Sequence, residues 1–254
     1  MKTFQNLLIV ESPNDAAFIR LLLTDLGIGT ETDTVVIEDL HKITDAKKGK
    51  EVRGKTAISA KLRDINANLE NYPNLKNLGI ILDFDTLPNW DQAKNLQLVN
   101  TAIASAFGPQ PSMLSENQFV AINTTPPGTD YDRQLQAACF FTKDSSGTGN
   151  LDTLLLEIRA SPTAEVPYAD CLALWRDCVN QSGSQLKVSS GTYGKIWLGN
   201  FLRAQAAALG AAGKSILSDV EDKQTVVMEQ VGAAIFDLNH PSLAAMRAFL
   251  GMFR

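Results

Sequence analysis

Short apolar runs alternate with segments of helical period from Phe4 to Phe141, and no other feature restricts the fold as much. Residues 4–10 read as a strand and 13–26 as an amphipathic helix, with Ala16, Ile19, Leu22, Leu23 and Leu26 at helical spacing. A β-branched strand follows at 34–38, then a basic loop over 42–55 and a helix over 56–69. The run 78–83 is a buried strand, and 90–106 is a helix with Leu96, Val99, Ala102 and Ile103 along one side. Strands at 118–122 and 138–141 close the pattern, separated by an irregular stretch, 124–132, that holds Pro126, Pro127 and Gly128. Strands alternating with helices predict an α/β fold with a mainly parallel, doubly wound sheet.

Beyond Gly149 the strand signal disappears. Helical patterns occupy 151–160, 167–180, 192–209 and 241–253, and the Ala-rich piece 204–213 reads as helix ending in a glycine cap. The expected division is an α/β domain over 1–148 and a helical C-terminal extension over 149–254, packed on it. At 254 residues and 44% hydrophobic, the chain is long enough to bury a core of that size.

Two of the strands stop on carboxylates. The first ends at Glu11 and turns into a helix; the strand 78–83 ends at Asp83, with Asp85 two residues on. In an open parallel sheet, ligands bind outside the carboxyl ends of the strands. Acids from two strand ends can meet there, and gathered carboxylate oxygens are what Mg²⁺ binds. Asp83 and Asp85 project to the same side of the strand while Phe84 turns to the other. Like charges that close raise one another's pKa unless a cation or hydrogen-bond donors compensate. Behind Glu11, Ser12 fits an N-cap, Pro13 the first helical position and Asp15 the third, one turn from the sheet edge.

Charge and composition narrow the chemistry. Net charge is −5, so phosphate binding needs a local basic patch or a metal rather than a global field. Six basic residues fall within 42–55, among them Lys47, Lys48, Arg53 and Lys55, and this loop reads either as a nucleic-acid contact or as a solvated segment. Only His41 and His240 exist, and Cys139, Cys171 and Cys178 lack paired spacing, so metal chemistry here falls to carboxylates. The first apolar run is too short for a signal peptide or a membrane span, and a cytoplasmic protein without membrane contact is expected. The run 210–215 has two residues between its glycines where a P-loop needs four, and Thr86 comes one position early for a haloacid dehalogenase motif.

The three acids together resemble the toprim domain of topoisomerases, bacterial primases and OLD-type nucleases. That domain has a glutamate closing its first strand before a helix and an Asp-x-Asp after a later strand; Glu11, Asp83 and Asp85 stand in those positions. Most members outside the topoisomerases have glycine after the glutamate, where this chain has Ser12-Pro13; type IA topoisomerases are similar at 10–13, but their catalytic tyrosine domains do not fit this length. Gly149-Asn150-Leu151-Asp152 is similar to a Gly-x-Leu-Glu run in OLD nucleases and small toprim-like proteins, with the shorter aspartate. The same residue also reads as an acid favoured by a helix dipole. The C-terminal run from Phe236 to Leu250 resembles the ending of the small stand-alone members.

The resemblance implies a toprim-like sheet and Mg²⁺-dependent nuclease chemistry on DNA or RNA, with Mn²⁺ able to substitute. Asp83 and Asp85 would hold one metal, Glu11 would be a ligand or a general base, and Asp15 and Asp152 would complete the shell or hold a second ion. It equally implies an alternative: a non-catalytic or partner-dependent subunit acting with an ABC-type ATPase. A homodimer is compatible with both.

Overall fold

The computed structural model describes residues 4–29, 34–45, 49–84, 91–159, 167–182, 188, 190–208 and 221–254. It falls into two compact units, Met1–Thr142 with Ala245–Arg254, and Lys143–Ala244. Seven strands follow in chain order: β1 (Asn6–Val10), β2 (Val35–Asp39), β3 (Ile43–Asp45), β4 (Lys50–Val52), β5 (Asn77–Asp83), β6 (Val120–Thr124) and β7 (Arg133–Thr142). The helices of the first unit are α1 (Pro13–Asp25), α2 (Ile58–Ala67) and α3 (Gln92–Phe107).

Five strands make one sheet in the order β2-β1-β5-β7-β6. The first four are parallel, and β6 adds an antiparallel edge through a hairpin with β7. The fold is therefore α/β, with a mostly parallel central sheet flanked by helices. β1 is buried at every position, which is why its sequence is a continuous apolar run rather than an alternating one. β7 starts well before the apolar stretch 138–141, because its first turns of the pleat carry Gln134 and Gln136 and masked the strand signal. Arg133 fixes that start: its guanidinium donates to the carbonyls of Leu69, Tyr72, Pro73 and Leu75 at 2.6–3.1 Å. Burial lowers the pKa of that guanidinium.

Alternation divides the two faces. Leu7, Ile9, Leu78, Ile80, Leu82 and Phe84 join one core with Ile58, Leu62 and Ile65 of α2 and Val99 and Ile103 of α3. The opposite face carries Leu8, Gly79 and Phe140, and there the chain's last helix arrives. This helix, following four in the other unit and so labelled α8 (Ala244–Gly251), brings Phe249 to 5.4 Å from Phe140, ring centre to ring centre. Asn6 donates to the carbonyl of Phe253 at 3.0 Å, and Arg247 donates to Asp25 at the end of α1. The sequence expectation grouped 245–254 with the helical extension; the structure counts these residues with the sheet. A Cβ on Gly79 would lie 2.3 Å from Leu8 Cδ2 and 2.7 Å from Phe253 Cζ, so only glycine leaves room for the Phe253 ring.

The basic loop is not formless. It contains a short antiparallel hairpin of β3 and β4, then a 3₁₀ turn over Gly54–Ala57 that runs into α2. Asp45 is buried there and paired with Arg63 of α2 at 3.0 Å.

The second unit is helical: α4 (Leu151–Glu157), α5 (Pro167–Gln181), α6 (Ser190–Ala208) and α7 (Glu221–Ile235). Trp197 of α6 stacks on Phe201 at 4.7 Å, and Phe201 meets Phe236 at 6.0 Å. Asp237 N donates to the carbonyl of Ile158, closing the unit. Sequence periodicity passed over α7, whose Val226, Val227, Val231 and Gly232 are weak helix formers. The expected glycine cap of the Ala-rich piece lies outside the described residues. All three cysteines are free, Cys139 buried in β7 and Cys171 and Cys178 exposed on α5. Among the described residues no helix is long and apolar enough to cross a membrane.

Replacing Gly79 by Ala is expected to cost about 1–3 kcal/mol through overpacking. In a Phe253→Ala background the same change should cost clearly less, because one of the two atoms it strikes is gone. Urea unfolding of the four proteins of this cycle measures both numbers.

Candidate functional site

β1 and β5 are neighbours and parallel, with Val10 opposite Ile81. That register sets Glu11, the next residue on β1, beside the end of β5. Its Oε2 accepts a hydrogen bond from the backbone N–H of Asp83 at 3.2 Å. Both side chains are half-buried, at the carboxyl edge of two of the three strands that lie inside the sheet. Phe84 is buried in the core shared with α2 and α3 and packs edge-on to Phe141 at 6.4 Å. Asp83, one residue earlier, therefore points to the other side of β5. Asp85 lies outside the described residues.

Ser12 caps α1 as its position suggested. Its Oγ accepts from Asp15 N at 3.3 Å and donates to Asp15 Oδ2, and Asp15 is buried. Pro13 takes the first helical position. Asp15 thus stands one turn from Glu11, held by the cap.

Gly54 closes the site from the β4–α2 side. It has φ +56°, and a Cβ there would sit 3.2 Å from Glu11 Oε1. Its N–H donates to the carbonyl of Leu40, whose own N–H donates to Val10. The turn is thereby an outward continuation of the β1–β2 pairing. Lys55 follows, and it is 9% exposed, whereas the sequence had placed it in a loop open to solvent. Its Nζ donates to Asn95 Oδ1 of α3 at 3.4 Å, and Asn95 is 1% exposed. Arg53 is exposed and donates twice to Glu51, at 2.8 and 2.6 Å, so its charge is engaged within its own hairpin. Lys47 and Lys48 lie outside the described residues.

Sequence reasoning missed Gly54 and Asn95, and missed a third acid at a strand end, Asp39 on β2. Asn95 had a signal: it falls four residues before Val99, a polar residue on the apolar stripe of α3. Asp39 stands opposite Val10 and accepts from His41 N at 2.8 Å, a turn-forming role.

Asp152 belongs to the second unit. Asn150 and Thr153 form a capping box at the start of α4, and Asp152 lies between them in the first turn. Gly194 of α6 lies against it, with a notional Cβ 2.9 Å from Asp152 Cβ. Burial raises the pKa of Asp152, and the Lys195 charge only partly opposes this. In the same unit the C-terminal run has a structural use. Burial pushes Glu157 up, but hydrogen bonds from Ser242 and Ser145 and the charge of His240 outweigh it, and its pKa is lowered.

The donor set at the sheet edge consists of hard carboxylate oxygens, the chemistry that suits Mg²⁺. Glu11 and Asp83 meet that requirement; among the described residues no three His, Cys, Asp or Glu side chains gather closely enough to hold an ion.

An α/β protein with paired strand-end acids is the class that fold and site define. One family model, described as a protein family of unknown function (DUF3226), matches residues 5–252, and the chain belongs to that family. No curated protein and no solved structure matches it.

Asp152 generates a prediction about pH. Its folded pKa lies above its unfolded value, so the folded state binds more protons between the two and stability falls as pH rises through that window. At neutral pH the carboxylate is a net cost. Asp152→Asn should raise stability at neutral pH, and the gain should shrink and vanish as pH drops below the ordinary aspartate range. Urea titrations across pH check this; a loss of stability at neutral pH would show the Lys195 pairing to dominate instead.

Proposed function

We propose that this chain is a Mg²⁺-dependent phosphodiesterase acting on DNA or RNA through a toprim-like carboxylate site of Glu11, Asp83 and Asp85. The observation that carries the reading is the hydrogen bond from the Asp83 amide to the Glu11 carboxylate, which joins two acids across neighbouring parallel strand ends. Ligands bind at the carboxyl ends of strands in open parallel sheets, and that is where these two acids end their strands.

Mg²⁺, or Mn²⁺ in its place, supplies Lewis-acid stabilisation of the phosphoryl oxygens when bound. Glu11 has one oxygen fixed by the Asp83 amide and the other facing Gly54, which adds no side chain to cover it. Glu11 would hold the ion or take a proton from water. Asp83 and Asp85 would be the metal ligands. Asp15, locked by Ser12, supports the shell from the first turn of α1. Asp152 is proposed as a further ligand by resemblance alone.

The rival reading is a toprim-like subunit that acts only with an ABC-type ATPase, and net charge −5 supports it, since no global field attracts nucleic acid.

Purified chain incubated with labelled DNA and RNA, with Mg²⁺ or Mn²⁺ and with EDTA, tests the proposal. Metal-dependent cleavage by the chain alone is expected, with Asp83→Asn and Glu11→Gln each lowering the rate by roughly 10²–10⁴-fold. Oligonucleotide binding should survive both changes. Cleavage that appears only when an ATPase partner is added would favour the rival, and cleavage undiminished in EDTA would end the metal reading.

A further inference from the structure

Seven glycines among the described residues take a positive φ, and two other residues join them, Asn117 at +63° and Lys42 at +58°. Asparagine enters this left-handed region readily, because its short side chain bonds to the local backbone. Lysine has no such relief, and its Cβ crowds the carbonyl oxygen that follows. Lys42 stands in the turn between β2 and β3, a place that glycine or asparagine would fill with less strain. Packing does not explain the exception, since Lys42 is exposed. Ion pairing does not explain it either: its ammonium has no partner among the described residues. Arg53, the exposed cation of the neighbouring strand end, is by contrast bound to Glu51.

The turn is anchored at the carboxyl edge of the sheet. Asp39, the last residue of β2, lies opposite Val10 and accepts from His41 N at 2.8 Å. Leu40 N donates to the carbonyl of Val10, the residue before Glu11. The Leu40 carbonyl in turn accepts from Gly54, which faces Glu11. Two residues beyond Leu40, a compact cation on a four-carbon stem stands at the rim of the carboxylate site. Residues held in sparsely populated backbone regions gather at ligand-binding positions, and this edge is where open parallel sheets take their ligands.

We propose that Lys42 is a substrate-binding residue whose ammonium holds a backbone phosphate of the nucleic-acid strand, next to the phosphodiester that is cleaved. The inference rests on the phosphodiesterase reading and deepens it by stating where the strand runs, over the turn between β2 and β3. A net charge of −5 supplies no field to draw in a polyanion, so a local cation beside the carboxylates has to do so. Lys42 acts on binding and takes no part in the chemical step.

The test measures binding of fluorescein-labelled single-stranded DNA and RNA to the full chain in EDTA across salt concentrations, beside urea unfolding. Lys42→Asn and Lys42→Gly both remove the charge and suit the backbone, and both should raise the urea midpoint. Each should weaken oligonucleotide binding about 3–10-fold, most at low salt, and reduce the salt slope by about 0.7. The nucleic acid that shows this dependence is the substrate class. Lys76→Asn makes the same change of charge at an exposed site just before β5, at the opposite edge of the sheet, and should leave the slope unchanged. With Mg²⁺ present, Lys42→Asn should raise KM for oligonucleotide cleavage and keep kcat.

Lys42 variants that bind like wild type at every salt concentration overturn the proposal. So does a Lys76→Asn protein as impaired as Lys42→Asn, because net charge is then the cause. A lower urea midpoint in both Lys42 variants shows a structural use for the lysine and overturns it as well. A wild-type chain that binds through Lys42 but cleaves nothing with Mg²⁺ or Mn²⁺ sinks the phosphodiesterase reading and leaves the binding residue standing. One that cleaves, beside Lys42 variants that bind unimpaired, sinks the lysine inference alone. A chain that neither binds nor cleaves sinks both.

Discussion

Parallel pairing of β1 with β5 sets the positions of everything at the carboxyl edge. Five consecutive pairs, from Asn6 with Asn77 to Val10 with Ile81, hold the two strands in register. Slipping that register by one residue would turn Ile9 and Leu7 out of the α2–α3 core, and burial on both faces forbids it. With the slip forbidden, Glu11 can only arrive beside the amide of Asp83. The hydrophobic core thus holds the Glu11 carboxylate at the end of β5. Gly54 depends on the pairing of β1 with β2 instead, since its amide reaches Glu11's strand through Leu40 and Val10.

What was legible in the sequence was what depends on local period. Apolar runs marked β1 and β5, and the acids at their ends were visible because each interrupts such a run. The Ser12 cap and Pro13 were equally local. What was hidden depends on tertiary placement or on weak propensity. Gln134 and Gln136 disguised the first half of β7, and the valines of α7 disguised a helix. Lys55 read as one cation among six until Asn95 and the turn at Gly54 showed it enclosed. No residue of 245–254 states which unit it will join, because a helix of apolar period fits any uncovered face.

The first unit treats its charges in two ways. Asp45 and Arg63 are a buried acid and its cation, each answering the other. At the sheet edge Glu11 accepts from the Asp83 amide, and Lys55 donates to the Asn95 carboxamide. The first arrangement stabilises a fold. The second sets polar contacts around the carboxyl ends of β1 and β5.

Asn6 and Phe253 are partners in one hydrogen bond across 247 positions of chain. During synthesis, β1 leaves the ribosome long before the segment that covers Leu8, Gly79 and Phe140. One face of the nascent sheet must therefore wait, wet and adhesive, while the whole helical unit is translated. Such a chain folds slowly by topology, since its closing contacts have the largest loop to shut. Until that segment arrives, the uncovered apolar face is the part of the nascent chain most prone to unspecific association.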